Sequence, residues 1–504
     1  MREGRNDNML NQLPTTSAVQ IGVAIVLTAL VGLATWLTIR RAKHDGSKKD
    51  VFLAGGGLSW LFVAGSITLT NLSTDQLVGM NGNQMALLAW WEIAGFAGLL
   101  ILAFVFVPIY YRNNCTTVTE LLEKRYNGRS IRTLISALFL FGNILIYLPA
   151  VLYSGGTFMQ ALFGDQIPVL AFAAVLAVIS AAYTIFGGLR AVAVMDTYSG
   201  IGILGLALLI VVLALAAVDW NITDGVPAER LTMIGGPDSP IPFHTLFTGM
   251  IFIQIFYWST NQNITQRAMA APTVKEAQKG VLAAAAIRIL IVPPIVVIPG
   301  IVAYKLFGDV GDAAYGQLIA EVLPPWLSGA FAAMVAAAVI TTFSAVLNSS
   351  VALYSVDFHE QFAGEVKDHW KLAAAVSVLL TLTSIMLVTV YIDAASADPT
   401  EFSIINLLQQ LNGLLSMPIL SAFVAGLLFR NVEAPAAIGG VIWGVAQYGG
   451  FTFYLQPEGY IAMHYIDFMV VTLVTSVIAA LAVNRAMGNR AQFVGFKRRG
   501  EAAA

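Results

Sequence analysis

Charge is scarce in this sequence. Asp, Glu, Lys and Arg together make up 11% of the 504 residues, whereas roughly 25% is usual for a soluble domain. The formal net charge is only −2, which excludes a polybasic surface for nucleic acid. Hydrophobic residues make up 58% of the chain, and the mean hydropathy is +0.76. A lipid bilayer is the solvent that fits such a composition.

Several chemistries lack the residues they need. The single cysteine, Cys115, excludes an internal disulfide and a cysteine metal cluster, and we expect it to be a thiol in a loop. The sequence has no Gly-rich phosphate loop of the Walker type, so ATP is not expected as the energy source. It also has no HExxH or GxSxG motif and no paired aspartates in facing spans, so we do not expect an enzyme.

Apolar segments long enough to cross the hydrocarbon core, about 20 residues each, recur along the whole chain. They predict an all-α polytopic membrane protein with about 13 transmembrane helices. The first segment is expected to be a retained span, because no small-residue cleavage site follows a short apolar run. The segments are roughly 17–40, 53–80, 86–111, 131–163, 168–186, 190–217, 245–268, 277–306, 327–357, 370–392, 402–429, 434–453 and 463–485.

Lys and Arg in the short loops predict the orientation. Basic residues follow the first span (RRAKHDGSKKD) and the third span, and they fill the C-terminal tail at Arg485, Arg490, Lys497, Arg498 and Arg499. These three regions lie on one side if there are thirteen spans, and positive loops face the cytoplasm. We therefore expect a protein of the cell's inner (plasma) membrane, with the N-terminus outside and the C-terminus in the cytoplasm.

Two spans carry polar runs where lipid-facing helices have none. They are TNLSTDQ at residues 70–76 and YWSTNQN at residues 257–263. Unpaired polar groups are costly in hydrocarbon, and Ser, Thr and Asn weaken a helix by competing for its backbone hydrogen bonds. An unwound turn would free carbonyls for a cation and helix ends for a solute, as in secondary transporters. The alternative interpretation is a set of polar contacts between helices.

The spacing of the two runs indicates an internal repeat. Each run lies in the first of five successive spans, and an odd number of spans inverts the second unit relative to the first. The sequence thus predicts a five-plus-five inverted repeat with flanking spans. The predicted division is an N-terminal end, span and basic loop (1–52), a first repeat (53–217), an extracellular loop (218–244), a second repeat (245–429), and two C-terminal spans with a tail (430–504).

Several stretches carry a family resemblance from about residue 50 to 430. They include FLAGGGLSW, TNLSTDQLVGMNG, YTIFGGLRAVAVMD, YWSTNQNITQRAMAA followed by VKEAQKG, VVIPGIVAY and AAAVITTFSAVLNSS. In these stretches the chain resembles the sodium/solute symporter family, on its sodium/galactose and sodium/glucose branch. The resemblance implies a LeuT-type core with discontinuous first and sixth core helices, a solute site near the bilayer midplane, and Na⁺ bound close by.

The resemblance also implies a sodium site. It would consist of the carbonyls of Leu69, Leu72 and Ala338 and the hydroxyls of Thr341 and Thr342, two threonines where the galactose symporters have serines. A hydroxyl that bonds back to its own helix is the alternative for the threonine pair. The family places an aspartate tied to ion passage where this chain has Asp196, for which a first-turn acid of a helix is the alternative.

The solute site resembles that of the family in part. The residues that fall on its solute-binding or gating positions are Asn71, Gln76, Glu92, Gln254, Tyr257, Trp258, Arg288 and Gln409. Carboxylate and amide groups suit a polyol, whose hydroxyls donate and accept, and an aromatic side chain can stack on a sugar ring. The departures are Arg288 for a lysine, Gln254 for an asparagine, Gly95 for a serine and Trp91 for a tyrosine. We expect Arg288 to pair with Glu92.

The predicted function is Na⁺-coupled secondary active symport by alternating access, importing a small polar solute. A monosaccharide is the first choice, and an amino acid, a carboxylate or another organic anion is the alternative that Arg288 favours. Proton coupling and a channel are further alternatives. The expected partners are Na⁺, the solute and the bilayer, without nucleic acid and without an obligatory protein partner.

Overall fold

The computed structural model describes residues 18–40, 48–72, 74–164, 166–397 and 404–495. The predicted outer N-terminus, Ser73 of the first polar run, part of the first basic loop and Lys497, Arg498 and Arg499 of the tail lie outside this part of the chain. In the described residues the fold is helical, apart from one antiparallel ribbon of Phe429–Arg430 with Gln492–Phe493.

The helices are numbered here in chain order. They are α1 (Ala18–Ile39), α2 (Lys48–Leu53), α3 (Trp60–Asn71), α4 (Thr74–Gly82), α5 (Ala86–Arg112), α6 (Val118–Tyr126), α7 (Arg129–Phe163), α8 (Val169–Ala217), α9 (Gly249–Ile255), α10 (Gln262–Met269), α11 (Val274–Phe307), α12 (Ala314–Val322), α13 (Pro325–Phe362), α14 (His369–Ala397), α15 (Ile404–Leu428), α16 (Ala434–Gly450) and α17 (Tyr465–Ala486).

Nine helices among the described residues are long and apolar enough to cross a bilayer. They are α1, α5, α7, α8, α11, α13, α14, α15 and α17. The two interrupted helices, α3 with α4 and α9 with α10, are too short in each half to be counted in this way. The all-helical membrane fold is confirmed, whereas the predicted total of thirteen spans stays a prediction.

Helix α8 covers two predicted spans. Its 49 residues would measure about 73 Å as a single straight helix at 1.5 Å per residue, far more than the roughly 30 Å of the hydrocarbon core. Gly188 interrupts it with φ of 54° and ψ of −158°. Only glycine adopts this conformation readily, and a side chain here would also lie 3.0 Å from the carbonyl oxygen of Val51. The chain therefore turns back at Gly188.

Both polar runs interrupt their helices, as predicted. Helix α3 ends at Asn71, and Leu72 follows with a ψ of 71°, which no helix allows. In the second run, Asn261 has φ of −80° and ψ of 126° and caps α10, its side chain accepting a hydrogen bond from the Asn263 amide at 3.0 Å. Asparagine is among the residues preferred at this position. The sequence thus explains the break by local hydrogen bonding.

Helix α13 is the most enclosed of the nine candidate spans. It packs against α8, α1 and α3, and its buried face is rich in alanine, which lets neighbouring helices approach closely. This central helix carries Ala338, Thr341 and Thr342, so the predicted sodium ligands lie deep inside the bundle.

A second buried cluster lies at the predicted cytoplasmic end of the bundle. Asp357, near the end of α13, accepts hydrogen bonds from Thr119 at 2.5 Å, from Arg132 at 2.6 Å and from Ser136. These partners belong to α6 and α7. Cys115 lies in the turn before α6, as expected for a loop thiol, and its burial raises the pKa of the thiol to about 12. The thiol is therefore protonated at neutral pH.

Candidate solute and sodium sites

An ion pair buried between α5 and α11 is the centre of the predicted solute site. Glu92 is fully buried, and Arg288 is 4% exposed. Their closest charged atoms, Glu92 Oε2 and Arg288 Nη2, lie 2.5 Å apart. Gln76, on α4 just beyond the first break, donates to the other carboxylate oxygen of Glu92 at 2.9 Å. The structure therefore brings three of the predicted solute residues together in one network.

Aromatic side chains form the other wall of this network. The Arg288 guanidinium lies 4.4 Å from the ring centre of Trp258, a cation–π contact. Trp258 Nε1 donates to Gln254 Oε1 at 2.9 Å, and Gln254 Nε2 donates to the carbonyl of Trp91 at 3.1 Å. The ring of Tyr257 meets Trp258 edge-on, with 5.2 Å between centroids. Gln254, Tyr257 and Trp258 all belong to the second interrupted helix, next to its break.

Three polar atoms of the predicted solute residues have neither a hydrogen-bond partner nor an ion-pair partner among the described residues. They are Asn71 Oδ1 and Gln76 Oε1, which are acceptors, and Arg288 Nε, which is a donor. Buried polar atoms are normally paired, and leaving one unpaired costs about 1–3 kcal/mol. Two acceptors and one donor would pair with a ligand that carries both donors and acceptors.

Gln409 lies on α15 and is partly exposed. Helix α15 packs against α4 and against residues 256–260 of the second interrupted helix. Gln409 is therefore on a helix that contacts both broken helices, but among the described residues it forms no hydrogen bond with the Glu92 network.

The predicted sodium ligands meet where α3 faces α13. Thr342 Oγ1 lies 3.5 Å from the carbonyl oxygen of Leu69. This distance is long for a hydrogen bond from a hydroxyl, for which 2.5–3.0 Å is usual. It equals the separation of two ligands at right angles about 2.5 Å from a hard cation. One cation could therefore contact both oxygens.

The remaining predicted ligands lie beside this pair. Thr341 Oγ1 donates a hydrogen bond at 3.2 Å to the carbonyl of Ala338, one turn earlier on α13, which is the back-bonding alternative for this threonine. Both threonines and Ala338 are buried. Leu72 is the residue at which α3 loses its helical conformation. The donor set consists of neutral carbonyl and hydroxyl oxygens, which are the ligands that a hard monovalent cation prefers.

Asp196 belongs to a fully buried polar chain next to α13. Ser66 Oγ donates to Asp196 Oδ2 at 2.6 Å, and Arg267 Nε donates to Ser66 Oγ at 2.8 Å. The Arg267 and Asp196 charges are 4.0 Å apart, and both side chains are completely buried. Arg267 also bonds the carbonyl of Asn263. Asp196 is therefore an ion-pair partner inside the bundle as well as a residue early in the second half of α8.

Sequence reasoning missed Ser66 and Arg267. The sequence does point to Arg267 as a paired residue, because an arginine inside an apolar span needs a partner or water. No sequence feature points to Ser66, since the hydroxyl of a lone serine in a transmembrane helix most often bonds the backbone of its own helix. Only the packing of α3 between α8 and α10 shows that this hydroxyl connects the two charges.

Two interrupted helices, with carbonyl and hydroxyl oxygens close together at one break and a buried polar network beside the other, are typical of a secondary transporter of the LeuT type. The whole-chain fold agrees with this class. A structure of a Na⁺-coupled sialic acid symporter, in a substrate-bound outward-open state, superposes with a TM-score of 0.79 at 18% identity. The superposition covers 95% of this chain and 100% of that one.

Residues 51–444 match the model of the sodium:solute symporter family, and the chain belongs to that family. The uncharacterized symporter YidK of Escherichia coli is 32% identical over 488 residues, covering 93% of this chain and 84% of that protein. The sodium/glucose cotransporter of Vibrio parahaemolyticus is 27% identical over 490 residues, covering 90% and 88%. The sodium/myo-inositol cotransporter 2 of mouse is 28% identical, covering 86% and 70%.

Membership of this family makes the chain a multi-pass membrane transporter rather than an enzyme. Its activity is Na⁺-coupled symport of a solute, with Na⁺ as the coupling ion. The identity of the solute depends on the residues of the site.

Proposed function

We propose that this protein imports a monosaccharide together with Na⁺ by alternating access. The proposed location is the cell's inner (plasma) membrane, with the N-terminus outside and the C-terminus in the cytoplasm. The names of two relatives, a glucose and a myo-inositol cotransporter, support a polyol. The proposed organisation is the predicted one, with repeats at 53–217 and 245–429 between flanking segments.

The observation that carries the proposal is the set of unpartnered polar atoms on the predicted solute residues, three of which form a network with a neutralised ion pair. Asn71 Oδ1 and Gln76 Oε1 need donors, and Arg288 Nε needs an acceptor. A sugar hydroxyl is both donor and acceptor, so one polyol can serve all three atoms. Glu92 and Arg288 cancel each other's charge, and a neutral solute therefore enters without bringing an unpaired charge into the site.

Sodium would bind first to the Leu69, Leu72, Ala338, Thr341 and Thr342 oxygens. Because Leu69 and Leu72 lie at the end of α3, a cation there holds the unwound turn against α13. That turn also carries Asn71 and is followed by Gln76, so ordering it prepares the solute site. Asp196, close to α13, would be the first acidic group on the path by which Na⁺ is released to the cytoplasm.

A carboxylate or amino acid is the second candidate, and Arg288 is the observation that favours it. A guanidinium offers a carboxylate two parallel hydrogen bonds. Such a solute must compete with Glu92, which already occupies one side of the guanidinium at 2.5 Å. This competition makes the sugar the better-supported solute.

The test is uptake by proteoliposomes under an inward Na⁺ gradient. Labelled D-glucose, D-galactose and myo-inositol should accumulate, unlabelled sugars should compete, and succinate and neutral amino acids should not. Replacing Na⁺ by choline at fixed pH should abolish uptake, whereas a proton-coupled carrier would keep it. Accumulation of carboxylates or amino acids without accumulation of any sugar would refute the sugar proposal.

A further inference from the structure

Helix α5 presents two glycines to the second interrupted helix, one turn apart. A Cβ atom on Gly95 would lie 2.9 Å from Arg288 Nε and 3.0 Å from Trp258 Nε1. A Cβ atom on Gly98 would lie 2.5 Å from the backbone oxygen of Gln254. Contacts this short do not persist between a Cβ atom and its neighbours, so a side chain at Gly98 would push against a helix backbone, and one at Gly95 would force its neighbouring side chains to shift.

The atoms that a new side chain would meet differ at the two positions. At Gly95 they are side-chain atoms, namely those of the Arg288–Trp258 stack. At Gly98 the closest atom belongs to the backbone of α9. Gly98 therefore sets the distance between two helices, whereas Gly95 sets the position of a guanidinium.

From this geometry we infer that Gly95 is a positioning residue for Arg288 and thereby a determinant of solute specificity. The absent side chain leaves the volume in which the Arg288 stem passes α5. Through that gap the guanidinium reaches the face of Trp258 at 4.4 Å and the Glu92 carboxylate at 2.5 Å. A methyl group at Gly95 moves the guanidinium off the indole, because a flexible side chain yields before a helix backbone does.

Displacing Arg288 changes the polar groups offered to a solute. The hydrogen bond from Gln76 to Glu92 would remain, but the ion pair between Glu92 and Arg288 would lose its present geometry. Arg288 Nε would no longer lie beside Trp258. The specificity part of this inference rests on the proposed solute site, whereas the positioning part rests only on the packing of Gly95, Arg288 and Trp258. The two parts are therefore tested separately.

The positioning part is tested by melting temperatures of the purified protein in detergent, without solute. Gly95→Ala should lower the melting temperature by roughly 2 °C or more in the wild-type background. In a Glu92→Gln/Arg288→Met background, which removes both charges and the guanidinium, the same change should cost clearly less, because only the contact with Trp258 Nε1 at 3.0 Å remains and alanine is the better helix residue. Gly98→Ala should lower the melting temperature in both backgrounds. Gly205→Ala, at a helical glycine with open space around it, should lower it in neither.

An equal loss for Gly95→Ala in both backgrounds would show ordinary helix packing and would overturn the inference. No loss in the wild-type background would overturn it as well. These outcomes do not depend on any transported solute, so they remain decisive even if no sugar binds.

The specificity part is tested with D-galactose, D-glucose and myo-inositol as probes. Gly95→Ala should weaken binding of the transported probe about tenfold, the equivalent of one charge-assisted hydrogen bond. The Na⁺-induced rise in melting temperature should be unchanged, since the Leu69–Thr342 contact is elsewhere. Unchanged probe affinity and an unchanged ranking of the three probes would refute a role in specificity. Failure of all probes with the wild-type protein would instead refute the sugar proposal.

Discussion

At the residue scale, Arg288 shows how one side chain can distinguish solute classes. It is held by an ion pair with Glu92 and by the face of Trp258. Lysine reproduces the charge but neither the planar fork nor its stacking. The two classes of solute depend on these properties to different degrees.

We expect Arg288→Lys to keep sugar uptake and to change the preference among sugars, because a hydroxyl needs one donor at a time. Bidentate binding of a carboxylate would instead be lost, at a cost of about 1.5–3 kcal/mol per charged hydrogen bond. Glu92→Gln should reduce sugar uptake, because it removes the charge that pairs with Arg288 and replaces one of the two acceptor oxygens by an NH₂ donor. Uptake of labelled solutes by proteoliposomes measures both variants. Carboxylate uptake that survives Glu92→Gln and fails in Arg288→Lys would contradict the sugar proposal.

The sodium ligands give a second prediction at this scale. Thr342→Ala removes the hydroxyl that lies 3.5 Å from the Leu69 carbonyl. The Na⁺-induced rise in melting temperature should therefore shrink, because stabilisation by a bound ion grows with its affinity for the folded state. K⁺ at equal ionic strength should produce no comparable rise with the wild-type protein.

The control for this variant is Thr381→Ala on α14. Thr381 is also a buried threonine, and its hydroxyl bonds the Ser377 carbonyl of its own helix at 2.7 Å. It should leave the Na⁺ effect intact. Equal shifts with Na⁺ and K⁺, or an unchanged Na⁺ shift in Thr342→Ala, would exclude this site.

At the scale of elements, the start of α6 and the loop before it connect two parts of the bundle. Gln262, the first residue of α10, accepts from the Val118 amide at 2.8 Å. On the other side, Asp357 of α13 accepts from the hydroxyls of Thr117 and Thr119 at 3.2 and 2.5 Å. The four-residue stretch from Thr116 to Thr119 is therefore held by α10 and by α13 at once.

We expect Asp357→Asn to destabilise the protein by about 1–3 kcal/mol, because it leaves Arg132 and two threonine hydroxyls with a weaker acceptor. Thermal unfolding in detergent measures this loss. The matched control is Asp368→Asn, since the Asp368–Lys371 pair lies on the surface and such pairs contribute little. Equal melting temperatures for Asp357→Asn and the wild type would show that the cluster does not hold these elements together.

At the scale of the whole molecule, the charge carried in each cycle distinguishes the solute classes. Import of one Na⁺ with a neutral sugar moves one positive charge inwards. At 100 mV this is worth about 2.3 kcal/mol, or nearly 50-fold accumulation. One Na⁺ with one monovalent anion would move no net charge.

We therefore predict that an inside-negative potential, imposed by K⁺ efflux through valinomycin, accelerates sugar uptake by proteoliposomes. Clamping the potential at zero with equal K⁺ on both sides serves as the control. An uptake rate that is the same with and without the membrane potential would contradict one-to-one symport of Na⁺ with a neutral solute.

The sequence by itself determined the solvent of this protein and the places where its helices break. Apolar runs of about 20 residues have few alternatives to a membrane helix, and runs such as TNLSTDQ disrupt backbone hydrogen bonds wherever they occur. Both are local properties of the sequence. The apolar segments were sufficient to predict the membrane, and residues 70–76 and 257–263 were sufficient to predict the two helix breaks.

Only the tertiary structure decided which distant side chains meet. The chain of Ser66, Asp196 and Arg267 spans three helices, and a side chain at Gly95 would meet Arg288 and Trp258, which come from other segments. Helix periodicity specifies which face a residue occupies but not which helix will face it. Such contacts depend on the packing of helices far apart in sequence, and no local pattern encodes that packing.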